Sequence, residues 1–273
     1  MAERSEQRAG IEMRLARLAV IRGEMKQAEQ HFRDALAGLL ESPKPPRETV
    51  AWCRWQLGET AFSVGDYETA ERYYEDALTT APGYFRALAS LGRLLAARGD
   101  LPGAIARYEE AVRITPAPAF VGALGDLYQL SGMIGDAQAR FEMVEQLGEH
   151  SRKVHGSAFN RPLALFHADH GIQTEEAYQL ARSEYDAGRH DVYGADAVAW
   201  TALKSGHLPE AQAAMKAALR LGTRDARLFY HAAMIAKASG ERAASADFLH
   251  RALELNPGFD PLQRQLAQNA LED

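Results

Sequence analysis

One cysteine, Cys53, is the whole thiol inventory of this 273-residue chain. A lone thiol excludes an intramolecular disulfide and any cysteine-cluster metal site. No apolar run reaches the roughly 18 uncharged residues that a membrane span needs. No stretch alternates polar and apolar residues as a half-buried strand does. Lysine is scarce, 6 residues against 25 arginines, and with abundant alanine this bias points to a GC-rich bacterial source. Positive charge is also in deficit: 31 basic residues face 37 acidic ones, a net charge of −6. That is the wrong sign for a general nucleic-acid binder. The N-terminus, MAERSEQRAG, is polar, and the apolar cluster behind it is interrupted by Arg14 and Arg17. No secretory signal is read there, and the expected location is the cytoplasm.

Catalytic signatures are missing as well. The chain has no G-x-G-x-x-G, no G-x-x-x-x-G-K-[ST], no H-E-x-x-H and no G-x-S-x-G, so phosphate cradling and triad catalysis lack support. The one suggestive cluster is His167-Ala168-Asp169-His170. Two imidazoles at i, i+3 share a helical face, but two nitrogens and one carboxylate fall short of the three or four ligands of a metal site. A structural role is the expected one, with no metal and no cofactor. The chain reads as a non-enzyme.

What is present is repetition. Leu57-Gly58, Gly65-Asp66, Ala70, Tyr74, Ala77 and Pro82 return 34 residues later as Leu91-Gly92, Gly99-Asp100, Ala104, Tyr108, Ala111 and Pro116. Each position has a mechanical reason. Gly-Asp breaks one helix and starts the next. Ala70, Tyr74 and Ala77 lie on one helical face, and Gly58 lets the second helix approach closely. Pro82 ends that helix, because it lacks the amide hydrogen and clashes with the preceding turn. Such a hairpin cannot bury its apolar seam alone and must stack on neighbours.

These residues resemble the tetratricopeptide repeat, a 34-residue pattern of Leu-Gly, an aromatic, then Ala, aromatic, Ala and Pro at fixed offsets. The resemblance implies an all-α, right-handed superhelix of helical hairpins. About seven repeats are expected in a single array over 1–273, starting near residues 9, 51, 85, 118, 158, 192 and 226. Prolines in Glu41–Arg47 insert about eight extra residues after the first repeat, either a longer loop or the edge of a separate N-terminal cap. Leu147–Ser157 is polar enough to be read as an irregular connection. The fifth repeat fits most loosely, through Ala164, Ala168, Gly171, Ala177 and Ala181. Residues 260–273, with Leu262, Leu266 and Leu271 among polar neighbours, read as a terminal capping helix.

In that family the first helix of each hairpin lines a concave wall. Carried over by position, the wall receives Trp52, Trp55, Glu59 and Phe62 from the second repeat, and Arg86, Ala89 and Arg93 from the third. The fourth gives Gly122, Asp126 and Gln129, and the fifth Phe159 and Phe166. The sixth gives Tyr193, Asp196 and Trp200, and the seventh Arg227, Tyr230, Met234 and Lys237. Either the tryptophans pack between hairpins or several face the groove, where Trp, Tyr and Arg are the commonest hot spots. A partly aromatic groove is expected. The family's carboxylate clamp is not matched, since its places hold Met13 and Arg17, Trp55 and Glu59, or Ala89 and Arg93, with no asparagine.

The function this implies is a non-catalytic scaffold that binds a peptide or helix of a partner protein in its groove. Self-association into a homo-oligomer is the alternative, as is a role as the interaction segment of a larger enzyme or regulator.

Overall fold

A computed structural model describes residues 2–156 and 160–272. Among them are fifteen α-helices and no strand. They pair into seven hairpins: α1 (Ala2–Ile21) with α2 (Met25–Leu40), α3 (Arg47–Ser63) with α4 (Tyr67–Thr80), α5 (Phe85–Ala97) with α6 (Leu101–Ile114), and α7 (Pro118–Leu130) with α8 (Ile134–His155). Then follow α9 (Arg161–His170) with α10 (Thr174–Asp186), α11 (Val192–Lys204) with α12 (Leu208–Leu219), and α13 (Ala226–Ala238) with α14 (Arg242–Leu255). A last helix, α15 (Gln263–Glu272), stands alone.

One turn closes every hairpin. Gly65 adopts φ +78°, and the next amide, Asp66, donates back to the Ala61 carbonyl at 3.0 Å. The same return bond runs from Glu24 to Ala19, Asp100 to Leu95, Met133 to Tyr128, Ile172 to His167, His207 to Ala202 and Glu241 to Ala236. The glycine is required because L side chains are strained in the left-handed region. Asp66 and Asp100 then cap the following helix, accepting from the amides of Thr69 (3.1 Å) and Gly103 (3.0 Å). Such a cap satisfies an amide that otherwise lacks an intrahelical partner. The seam behind the turn is dense: Ala70, Tyr74, Ala77, Ala104 and Ala111 are buried, and Gly58 lies directly under the Tyr74 ring.

Helix α5 begins at Phe85, α7 at Pro118, α11 at Val192 and α13 at Ala226. The expected start near 158 falls outside the described residues, and so does Phe159. The proline-rich segment is a connection over 41–46, after which α3 begins one turn early, at Arg47.

Residues 147–155 correct the sequence reading. They are helical, and α8 runs to His155. Gly148 does not break it, because its bare Cα packs on Leu163, where an added Cβ would lie 2.6 Å from Leu163 Cδ2. Arg152, Lys153 and His155 fill the last turn, where positive charge opposes the helix dipole.

The chain divides into two compact units. Unit 1 holds residues 1–115 with two short later segments, 222–225 and 255–259; unit 2 holds 116–221, 226–254 and 260–273. Within unit 1 the later segments are tied in by specific bonds. Thr223 donates its hydroxyl to the Ile21 carbonyl. Asn256 Nδ2 donates to the Phe62 carbonyl (2.7 Å), and Tyr67 donates its hydroxyl to Asn256 Oδ1 (2.6 Å).

Candidate interaction surfaces

In unit 1 the first helices of consecutive hairpins lie side by side and bring equivalent positions together. Trp55 on α3 donates its indole N–H to Ser90 Oγ on α5 at 2.9 Å, and Ser90 donates to Glu59 Oε1 at 2.7 Å. Tyr74 donates to the same oxygen at 2.7 Å. Burial alone would raise the Glu59 carboxyl, but the Arg93 guanidinium and these hydroxyls outweigh it and hold it below the ordinary carboxylate value. Arg93 lies over the Phe62 ring, 4.1 Å from its centroid, and Arg86 lies 5.4 Å from the Trp55 ring. Phe62 is buried, Trp55 half-buried and Arg86 exposed. Arg54 donates to the Asp76 carbonyl at 3.0 Å on α4.

A groove of about 470 Å³ opens beside this network, lined by Gly10, Met13, Arg14 and Arg17 of α1, Glu48, Thr49 and Trp52 of α3, and Tyr84. Trp52 is half-buried: its ring lies steeply inclined to Phe32, centroids 5.9 Å apart, and it also lines the groove. Arg14 and Arg17 are exposed along one side. An aromatic floor with cationic and acidic flanks suits a peptide with an apolar anchor between charged residues.

In unit 2 the expected wall residues are mostly covered. Phe166, Trp200 and Tyr230 are buried, at 8%, 3% and 2% exposure. Met234 is half-buried, while Gln129, Tyr193 and Lys237 are exposed. Asp126 pairs with His170 Nε2 at 2.8 Å, and His170 Nδ1 faces the Phe166 carbonyl at 2.7 Å. Burial disfavours the imidazolium, but an acceptor at each ring nitrogen outweighs it and raises the His170 pKa. Burial also raises the Asp126 carboxyl, which His170 only partly offsets. His167 pairs with Glu145 at 2.6 Å, so the two histidines of the H-x-x-H segment take carboxylates from different helices. Among the described residues no group of three or more metal-ligating side chains converges.

Asp169, which the sequence offered only as a third metal ligand, has a different role. Its carboxylate accepts from Trp200 Nε1 (2.8 Å) on α11, from Arg227 on α13, and from Gln263 Nε2 (2.8 Å) at the start of α15. Trp200 is stacked on His231 at 4.2 Å and 11°, and His231 Nδ1 pairs with Asp196 at 2.9 Å.

Helix pairs closed by one turn and, within each unit, stacked through their first helices define a helical-repeat protein. Residues 7–118 carry tetratricopeptide repeats. Two family models, both described as Tetratricopeptide repeat, match residues 7–82 and 56–118, and the later hairpins continue the fold. Repeats of this kind are protein-interaction scaffolds and are generally not catalytic. No curated protein matches the chain in sequence.

Solved structures share the fold at low identity. The Rap conjugation gene regulator of plasmid pLS20, in complex with the Phr* peptide, aligns over 96% of this chain and 74% of its own, at 16% identity and a TM-score of 0.59. A tetratricopeptide repeat protein from Parabacteroides merdae aligns over 97% and 98%, at 17% identity and a TM-score of 0.46. PilF of Pseudomonas aeruginosa aligns over 82% and 98%, at 19% identity and a TM-score of 0.41. No described helix is long and apolar enough to cross a membrane.

Proposed function

We propose that the chain is a non-catalytic scaffold that holds a peptide or helical segment of a partner protein in the groove between α1 and α3. The observation that carries this reading is the half-buried Trp52 flooring a groove of about 470 Å³, with Arg14 and Arg17 on one rim and Glu48 on the other. A tryptophan anchored at one edge gives contact area at little cost in conformational freedom, as in interface hot spots. The Rap regulator, of the same fold, was solved with a peptide bound, which supports peptide capture by a scaffold of this type without identifying the ligand.

The test is photo-crosslinking from position 49, on the groove lining, in the source cells, compared with Trp52→Ala and Arg17→Glu chains that keep the parent circular dichroism. Loss of one specific crosslinked protein in both variants is the expected result. An unchanged crosslinking pattern overturns the groove reading.

A second reading, self-association, is favoured by one surface feature. Ile11, Leu15 and Leu18 form a stripe on α1 with 53%, 39% and 49% exposure. Light scattering that returns a single chain's mass at all concentrations removes it.

A further inference from the structure

Terminal repeats of a stacked array carry a polar outer face, because no neighbour covers it. Helix α1 departs from that rule. Ile11, Leu15 and Leu18 recur at i, i+4 and i+7 and form one aliphatic line down the solvent side, 53%, 39% and 49% exposed. The buried side of the same helix is built from Ala9, Ala16 and Ala19. Small residues thus lie inside and large aliphatic ones outside, an arrangement for which folding gives no reason.

Charge on this face has one sign. Arg8 and Arg14 flank the aliphatic line, and Arg22 stands four residues beyond Leu18; all three are exposed. Among the described residues none of the three enters an ion pair. The only acid between residues 8 and 22 is Glu12, and His31 engages it at 2.7 Å. On the neighbouring α2, Glu29 is held by Arg33 and Asp34 by Gln30.

We propose that the exposed face of α1 docks on an anionic lipid bilayer. The helix lies along the headgroup layer, with Ile11, Leu15 and Leu18 inserted and Arg8, Arg14 and Arg22 on lipid phosphates. A basic helix with one apolar face has the chemistry of an interfacial helix, and arginine stems are long enough to keep their charge at headgroup level while the aliphatic side chains go deeper. Two observations favour lipid over a second copy of the chain or an acidic protein. A second copy would bring the same arginines against one another with no acid on the face to pair them. A protein partner is usually held by aromatic anchors in a pocket, whereas this face is a convex line of aliphatic side chains, which a fluid surface covers without shape matching. The groove of unit 1 lies on the side of α1 that carries Gly10, Met13 and Arg17. Only Arg14 is shared, so the two readings stand or fall separately.

The experiment is co-sedimentation of the full chain with vesicles of phosphatidylcholine, with and without one-third phosphatidylglycerol. Binding to the anionic vesicles should be ~10-fold tighter or more, and it should weaken as salt rises, because screening shortens the reach of the arginines. Leu15→Gln with Leu18→Gln should weaken it ~10-fold by removing inserted apolar surface. Arg8→Gln with Arg22→Gln should weaken it by a similar factor and flatten the salt dependence. Trp52→Ala should leave it unchanged.

Equal binding to both kinds of vesicle, or none, overturns the proposal. Leucine-dependent dimers without vesicle binding give the face to a second copy. Full anionic binding by the leucine variant reduces the effect to diffuse charge and overturns the insertion, and loss of binding in Trp52→Ala moves the site to the groove. If the leucine variant loses its helical dichroism, the arginine pair decides alone, and unchanged affinity there rejects the site.

Discussion

Glu59 and Arg93 occupy the same position in consecutive repeats, 34 residues apart, and meet as a two-point ion pair at 2.7 and 2.8 Å. Register alone brings them together: once α3 and α5 lie side by side, equivalent positions face each other.

Glu59→Gln is expected to cost about 2 kcal/mol, since it strips a partly buried guanidinium of its counter-charge. Urea denaturation measures it. Glu59 titrates below its ordinary value in the folded chain. Its contribution is therefore present above the unfolded pKa of about 4.3 and is lost as pH falls through the folded one. The variant should show a shallower acid limb.

His170 moves the other way. Its raised pKa means that the stability it contributes is full below the free value of about 6.5 and is lost as pH rises through the folded value. Asp126, also raised, adds a falling step of the same sign at acid pH. His170→Gln should flatten the neutral decline, and proton NMR should find the His170 titration above that of free imidazole. A titration at or below 6.5 rejects the pairing.

Gly92 and Gly10 should respond oppositely to alanine. A Cβ at Gly92 would lie 2.6 Å from Tyr108 Cδ2, whereas none of the surroundings comes within 4 Å at Gly10. Gly92→Ala is expected to lose about 1–3 kcal/mol to overpacking. Gly10→Ala should gain about 0.5–1 kcal/mol from helix propensity. Thermal melts of the two variants give the comparison.

Cys53 is fully buried, and burial pushes its thiol up to about 12. Because the thiolate is the reacting form, iodoacetamide should leave the native chain unmodified at pH 8 and label it as urea unfolds it. Rapid labelling of the native chain would place the thiol at the surface.

Much of this fold is written in short-range chemistry. The Gly-Asp pair at 65–66 specifies a left-handed residue followed by a cap, and the same residues perform those tasks at 99–100. Hairpin five was harder to read because its turn holds an extra residue: Gln173, at φ +45°, stands between Ile172 and Thr174 and displaces everything after it. The length of α8 was hidden because residues 147–155 are polar, and the close approach of Gly148 to Leu163 is a tertiary contact that composition does not show. Asp169 was named in the sequence only as a third metal ligand. Its donors lie 31, 58 and 94 residues away, beyond any local pattern. Trp200 and Tyr230 occupy the wall positions of their repeats, yet their burial depends on tertiary neighbours that periodicity does not encode.

The bonds that Asn256 gives to Phe62 and receives from Tyr67 join residues 194 and 189 positions apart. On the ribosome, at ~5–20 residues per second, that separation is about 10–40 s of synthesis. For that interval the nascent second hairpin presents the Phe62 carbonyl and the Tyr67 hydroxyl to water or to a chaperone. The first part of the chain to be made is thus among the last to be finished.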